Sequence, residues 1–208
     1  MQTMVFWSVT LLFALSLKVC VDAVEQEPNK ANKYLIEKWG KLFDFDDFNH
    51  DGLLSLEDPK VFEERYKTRN NLTYKQIKKI IKEMDKLWNV FFFQNKKELS
   101  KDDFINMIKQ SYESNATALT ENVRVFASDW CNLIDLDGDT FLSKDEFIMN
   151  FVAGTHNNTQ IDERFFYMYN PVNERFPVDD IIKSFVLFAT ESDKSKPDIF
   201  LNGINIGV

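Results

Sequence analysis

The chain has 208 residues, 44% hydrophobic and 28% charged, a balance that suits one compact fold or two small packed ones and excludes a disordered tract. Its net charge of −8, from 33 acidic and 25 basic residues, attracts cations and disfavours nucleic acid and anionic membrane surfaces as partners. Aromatic residues make up 14%, with 20 Phe, so a core built of phenyl rings is expected.

Residues 4–17 form an almost unbroken apolar run, ended by Lys18 and Asp22. As a helix it would span about 21 Å, short of a bilayer core of about 30 Å. It therefore reads as the apolar part of a secretory signal peptide covering residues 1–23, cut after Val21-Asp22-Ala23, although no Lys or Arg precedes the run. A buried N-terminal helix is the alternative, which the lack of any polar face disfavours. The expected localisation is secreted, with the ER lumen as the other possibility, although the last five residues carry no retrieval signal. No stretch is long enough for a transmembrane anchor. Cys20 falls inside the signal, leaving Cys131, whose neighbours Trp130, Leu133 and Ile134 predict burial. Three Asn-x-Thr sequons, at Asn71, Asn115 and Asn157, fall in predicted helix ends or connections and are candidate glycosylation sites.

Residues 24–31 read as a polar leader. From Asn32, apolar residues recur at helical spacing through Tyr34, Leu35, Trp39, Leu42 and Phe43, and an acidic stretch follows at 47–58. Val61, Phe62 and Tyr66 mark an outgoing helix with Pro59 in its first turn, where proline is tolerated. A further helix over 73–90 carries Ile77, Ile80, Ile81, Met84 and Leu87 on one stripe, with Thr73 or Asn71 as its cap. Leu99-Ser-Lys-Asp-Asp-Phe104 nearly copies Leu142-Ser-Lys-Asp-Glu-Phe147, so an internal repeat is present. Residues 104–112 are read as helix, 114–118 as a connector, 121–133 as the helix running into a second acidic stretch at 135–146, and 147–153 as the helix leaving it. A fainter copy follows, with helices around Phe165 and over 181–189.

The two acidic stretches carry oxygen side chains at positions 1, 3, 5, 9 and 12 of a twelve-residue run, the spacing of an EF-hand calcium loop. Calcium takes six to eight oxygens, and a loop must turn back on itself to deliver them. In loop one the side chains of Asp47, Asn49, Asp51 and Asp58 and the carbonyl of Leu53 are the candidate ligands, with Ser55 acting through water. Gly52 at position 6 permits the turn. Asp58 at position 12 is one methylene shorter than the usual Glu, which should weaken calcium and admit Mg2+ as a competitor. In loop three the candidates are Asp135, Asp137, Asp139 and Glu146 with the Phe141 carbonyl and Ser143. Here Thr140 stands at position 6, where positive φ is expected and a β-branched residue resists it at a cost of roughly 1–2 kcal/mol. With four carboxylates against three, loop three is expected to be the tighter site.

The remaining two copies lack ligands. The second loop would place Phe92, Gln94, Lys96 and Lys97 at positions 1, 3, 5 and 6, and the fourth would place Tyr169, Pro171 and Asn173 at positions 1, 3 and 5, with Asp180 at position 12. Position 8 of paired loops should meet in a short antiparallel ladder, Leu54 with Leu99 and Leu142 with Phe176. The predicted fold is all-α: four EF-hand helix–loop–helix units in two pairs, 24–113 and 114–208, packed as one compact globule. Each pair holds one metal-competent loop and one structural partner.

The chain from residue 24 onward resembles the four-hand sarcoplasmic calcium-binding proteins of invertebrates and the similar calexcitins. The resemblance rests on the Trp39-Gly-Lys-Leu-Phe43 segment, the loops at 47 and 135, the degenerate hands between and after them, and the abundance of Phe. It implies a compact helical globule that buffers or senses Ca2+ without catalysis. A secreted calcium buffer or calcium-stabilised binding module is the first expectation, and a monomer is expected. The second is a calcium-dependent carrier of a hydrophobic ligand or partner helix, which needs a cavity with polar handles, yet only His50 and His156 are available and His50 lies in a loop. The sequence holds no nucleophile–base pair, Gly-rich phosphate loop or clustered basic face that would suggest an enzyme.

Overall fold

The structure is a computed structural model that describes residues 29–68, 72–89, 97–154 and 158–208. The expected signal peptide, Asn71, Asn157, His156 and the loop-two positions Phe92, Gln94 and Lys96 lie outside the described residues. Helix α1 (Lys33–Asp46) leads into loop one, strand β1 (Leu53–Ser55) and helix α2 (Glu57–Lys67). Helix α3 (Tyr74–Leu87) and strand β2 (Glu98–Ser100) complete the second hand together with α4 (Lys101–Ile134). Strand β3 (Phe141–Ser143) and α5 (Lys144–Gly154) follow loop three. The last hand comprises α6 (Thr159–Tyr167), β4 (Arg175–Pro177) and α7 (Val178–Thr190), and helix α8 (Ile199–Ile206) ends the chain.

Local chemistry sets the helix ends. Asn32 caps α1 by accepting from Leu35 N–H, and Thr73 with Gln76 forms a reciprocal capping box on α3. Ser100 caps α4 by accepting from Asp103 N–H. The predicted connector at 114–118 is a kink inside α4 instead. Only Asn115 leaves helical geometry there, with φ −162° and ψ 90°, and its side chain recaps the next turn by accepting from Ala118 N–H at 2.9 Å. A capping Asn can restart a helix within one residue, so no loop is needed.

The two ladders form in the predicted register. Leu54 lies opposite Leu99 and Leu142 opposite Phe176, all four fully buried or nearly so. Each ladder has three residues per strand, and the helices on either side bury their apolar faces against one another. Cys131 is buried as expected, and burial pushes its thiol far above the usual range. Among the described residues no helix is long and apolar enough to cross a membrane.

Helix α8 escaped sequence reading because it lies beyond the four repeats. It is the wedge that closes the globule. Phe200 is fully buried, with its ring 4.9 Å from Phe185, 5.2 Å from Phe188, 5.8 Å from Phe165 and 5.9 Å from Phe45 between centroids. Asp198 caps α8 through Leu201 N–H and pairs with the buried Lys38 at 3.2 Å. Lys38 also donates to the carbonyls of Glu191 and Leu187, so this buried pair is well bonded and ties α1 to both ends of the α7–α8 connection. Gly203 sits so close to Phe165 that an added Cβ would come within 2.5 Å of its ring. That ring is boxed in by Phe147, Phe151 and Tyr169 and has no room to yield. Gly203→Ala should therefore destabilise the protein by about 1–3 kcal/mol in denaturant unfolding. An unchanged midpoint would show that α8 is not seated on Phe165.

Candidate metal centres

Loop one begins where α1 ends. Asp47 caps the helix through its own N–H to Phe43 O, and its side chain turns into the loop, accepting from Asp51 N–H at 3.2 Å and Gly52 N–H at 2.9 Å. Asn49 Oδ1 accepts from Asp51 N–H, and Asp51 Oδ1 from Leu53 N–H, both at 2.9 Å. Asp58 reaches back from the first turn of α2 with both oxygens, one accepting from Asn49 N–H at 3.2 Å and the other from Ser55 N–H at 2.8 Å. Its short side chain thus spans the loop. Burial raises the Asp58 carboxyl above its usual range, the two backbone bonds act in the opposite sense, and the charges of Asp47 and Asp51 raise it further.

Loop three repeats this plan. Asp135 accepts from Gly138 N–H at 2.7 Å and Thr140 N–H at 3.1 Å. Asp137 Oδ1 accepts from Asp139 N–H, and Asp139 Oδ1 from Phe141 N–H. Glu146 closes the loop from α5, accepting from Leu136 N–H at 2.8 Å and from Ser143 N–H and Oγ–H at 3.0 and 2.7 Å. Oxygens of Asp135, Asp137 and Asp139 lie within 4.8 Å of one another, and Asp135 is buried while the other two face solvent. Three carboxylates this close repel one another. Hard oxygen donors alone, with no sulfur or imidazole among them, suit a hard divalent cation of the calcium or magnesium type.

The turn geometry shows something the spacing did not. Each loop uses two left-handed residues, at positions 4 and 6. In loop one these are His50 (φ 59°) and Gly52 (φ 84°), and in loop three Gly138 (φ 75°) and Thr140 (φ 69°). Each loop therefore has one glycine and one residue under strain, in opposite order. His50 is exposed at a turn position, where histidine is tolerated better than a β-branched residue.

Loop four is held by other means. In loop four Tyr169 takes position 1, buried and stacked on Phe176 at 4.5 Å with rings 9° apart, and its hydroxyl pairs with Ser184 at 2.6 Å. Asp180, the candidate at its position 12, lies beside Lys183 at 3.7 Å. Lys97 of loop two is exposed. The two acidic loops are also joined through the packed helices. Arg65 on α2 donates to Phe48 O in loop one and to the α5 carbonyls of Ala153 and Gly154, while Lys79 on α3 donates to Asp135 O in loop three.

Four helix–loop–helix units, paired by ladders at loop position 8, with oxygen-bearing side chains at 1, 3, 5 and 12 in two of them, define an EF-hand protein, and this chain is a member of that superfamily. The sarcoplasmic calcium-binding protein of Mizuhopecten yessoensis is 25% identical over 168 residues, spanning 80% of this chain and 95% of that protein. Among solved structures, the Ca(2+)-regulated photoprotein mitrocomin of Mitrocoma cellularia superposes with a TM-score of 0.60 at 16% identity, over 88% of this chain and 98% of that one. The coelenterazine-binding protein of Renilla muelleri gives 0.59 at 17% identity, over 77% and 91%. At these identities the structural likeness concerns the fold alone. No family model matches the chain.

The strain at position 6 of loop three has a measurable consequence. Thr140→Gly releases the left-handed penalty and adds some unfolded-state entropy, for a net gain of about 0.5–1 kcal/mol. Denaturant unfolding in chelator should show that gain. A loss would mean that the Thr140 side chain supports the loop.

Proposed function

We propose that this chain is a secreted calcium-binding protein, a buffer or calcium-stabilised binding module, with its metal sites at residues 47–58 and 135–146. The observation that carries the reading is the folded state of both loops: the side chains at positions 1, 3, 5 and 12 are bonded to the loops' own N–H groups. The ligands would be Asp47, Asn49, Asp51, Asp58 and the Leu53 carbonyl in loop one, and Asp135, Asp137, Asp139, Glu146 and the Phe141 carbonyl in loop three. A bound divalent ion would supply the charge that offsets their mutual repulsion. Loop one offers fewer carboxylates and a short residue at position 12, which favours magnesium competition there. Apo-berovin, a neighbour by fold with a TM-score of 0.54, is a magnesium-loaded structure. Loops of modest affinity would still fill at about millimolar calcium outside the cell. Exposed Asn115, whose Nδ2 is on a side chain that caps with its Oδ1, is the described sequon open to glycosylation.

A carrier role is the second reading, favoured by a cavity of about 40 Å³ between the two pairs. Its lining includes Phe45, Phe126, Trp88, Trp130 and Phe200, with Asp46 and Asn150 as its polar groups. His50 is not among the described residues that line it. Asp46 Oδ2 is buried without a hydrogen-bond partner, and burial, with the charge of Asp58 second, raises this carboxyl well above its usual range. A cavity of this size holds roughly three waters, so an organic guest would have to displace a side chain such as Phe200. The protein similar in fold from Renilla muelleri is a coelenterazine-binding protein, which lends the reading some support.

Calorimetric titration of the mature chain should show at most two calcium sites, with Asp135→Ala removing the tighter. Survival of both in that variant would overturn the assignment. The melting temperature should rise between chelator and millimolar calcium, by an amount set by the ratio of calcium to its dissociation constant. For the carrier reading, anilinonaphthalene sulfonate added to the calcium-free and calcium-loaded protein should take energy from Trp88 and Trp130 to different extents. No transfer in either state would reduce the cavity to a packing gap.

A further inference from the structure

Loop three meets a cation of the chain's own. Arg175, the first residue of β4 in the metal-poor fourth loop, reaches across the β3–β4 ladder and donates from Nη1 to Asp139 Oδ2 at 2.9 Å. The two oxygens of Asp139 are divided between tasks. Oδ1 accepts from Phe141 N–H at 2.8 Å and holds the turn, while Oδ2 is left to face a metal, and the guanidinium sits on it. Two features keep Arg175 in place. The ladder register sets it opposite Ser143, and its guanidinium lies over the Phe141 ring at 4.7 Å from the centroid.

The first pair is arranged with the opposite sign. The register there sets Ser55 opposite Glu98, so the residue across the ladder from loop one, at the place of Arg175, is an acid. Asp51 Oδ2, at the position of Asp139 Oδ2, accepts from Asn49 Nδ2 of its own loop at 3.0 Å. The loop with more carboxylates therefore faces a cation across its ladder, and the loop with fewer faces an anion.

We propose that Arg175 is an affinity-setting residue of loop three: its guanidinium sits on the outward oxygen of Asp139 and must be displaced, or be held near a divalent ion, when calcium binds. The proposal rests on the calcium reading of that loop. An arginine so placed stabilises the calcium-free loop, where three carboxylates otherwise repel one another, and weakens the loaded one. The two effects differ in sign from those of a residue that only braces the ladder.

Calcium titration of the wild type and Arg175→Gln, with Asp135→Ala marking which heat belongs to loop three, tests this. Arg175→Gln should tighten loop three about three- to fivefold, the range for a half-exposed charge pair, and lower the melting temperature in chelator. Arg175→Glu, which copies the arrangement at loop one, should tighten it further. Lys196→Gln changes the net charge equally at a distance and should move the affinity less than twofold. Unchanged or weaker calcium binding in Arg175→Gln overturns the proposal, and weaker binding is what a structural brace would give. A wild type without calcium heat would sink the calcium reading and this proposal together, whereas wild-type heat that Arg175→Gln leaves unaltered sinks the role of Arg175 alone.

Discussion

Two ladders of three residues hold the rest of this structure in register. Leu54 against Leu99 and Leu142 against Phe176 join the loops of each pair, and each meeting is buried in the core. A two-helix hand has more apolar surface than it can bury by itself. Pairing turns two such hands into one layer of helices, and the layers then share the phenyl-rich interior. Because side chains alternate along a strand, a slip of one residue would turn Leu142 outward and bring Ser143 into the core. The same slip would misplace every ligand that follows. Core packing and ligand placement are thus fixed by one set of contacts.

Within that constraint the loops' own backbone donors meet the acidic side chains. Asp47 and Asp135 each bridge to the N–H of position 6, and Asp58 and Glu146 each clamp an N–H at position 2 or 3 and another at position 9. Backbone donors stand in for part of a cation's charge. The left-handed residues that aim those donors, His50 and Thr140 among them, persist because the ladder on one side and the helix on the other determine the turn. Arg65 and Lys79 extend this order between the pairs, since each ties an element of pair one to a carbonyl of pair two. The loops are therefore not independent appendages of the globule.

The shape of the two acidic loops was legible because their side chains lie within twelve residues and their spacing reflects one turn of backbone. The ladder register was legible for the same reason, as position 8 follows from position 1. What could not be read depends on chain segments far apart. Asp46 looks like one more acid in a helix until the fold turns it toward a cavity lined by Phe126, Trp130 and Phe200. Arg175 is an unremarked base in a loop without ligands until the ladder sets it against Asp139. Helix α8 carries no repeat signal, and the need for Gly203 arises only from Phe165, thirty-odd positions earlier in the chain. Asn115 reads as part of a connector because asparagine ends helices as readily as it starts them. Here it does both within a single residue.

The fourth loop shows what can replace an ion in this fold. An EF-hand loop needs something to pin its first position to the strand and to the outgoing helix. In loop three a carboxylate, Asp135, begins that task. In loop four Tyr169 performs it with a ring and a hydroxyl, stacked on Phe176 of β4 and bonded to Ser184 of α7. The substitution turns a charge-dependent tie into an apolar one that does not vary with calcium. Asn170, Asn173 and Glu174 adopt left-handed geometry at positions 2, 5 and 6, so this loop shares only the turn at position 6 with the acidic loops, at a cost that packing around Tyr169 offsets. The charge that β4 carries beside loop three, Arg175, is therefore placed by ladder register and by the packing of Tyr169 on Phe176.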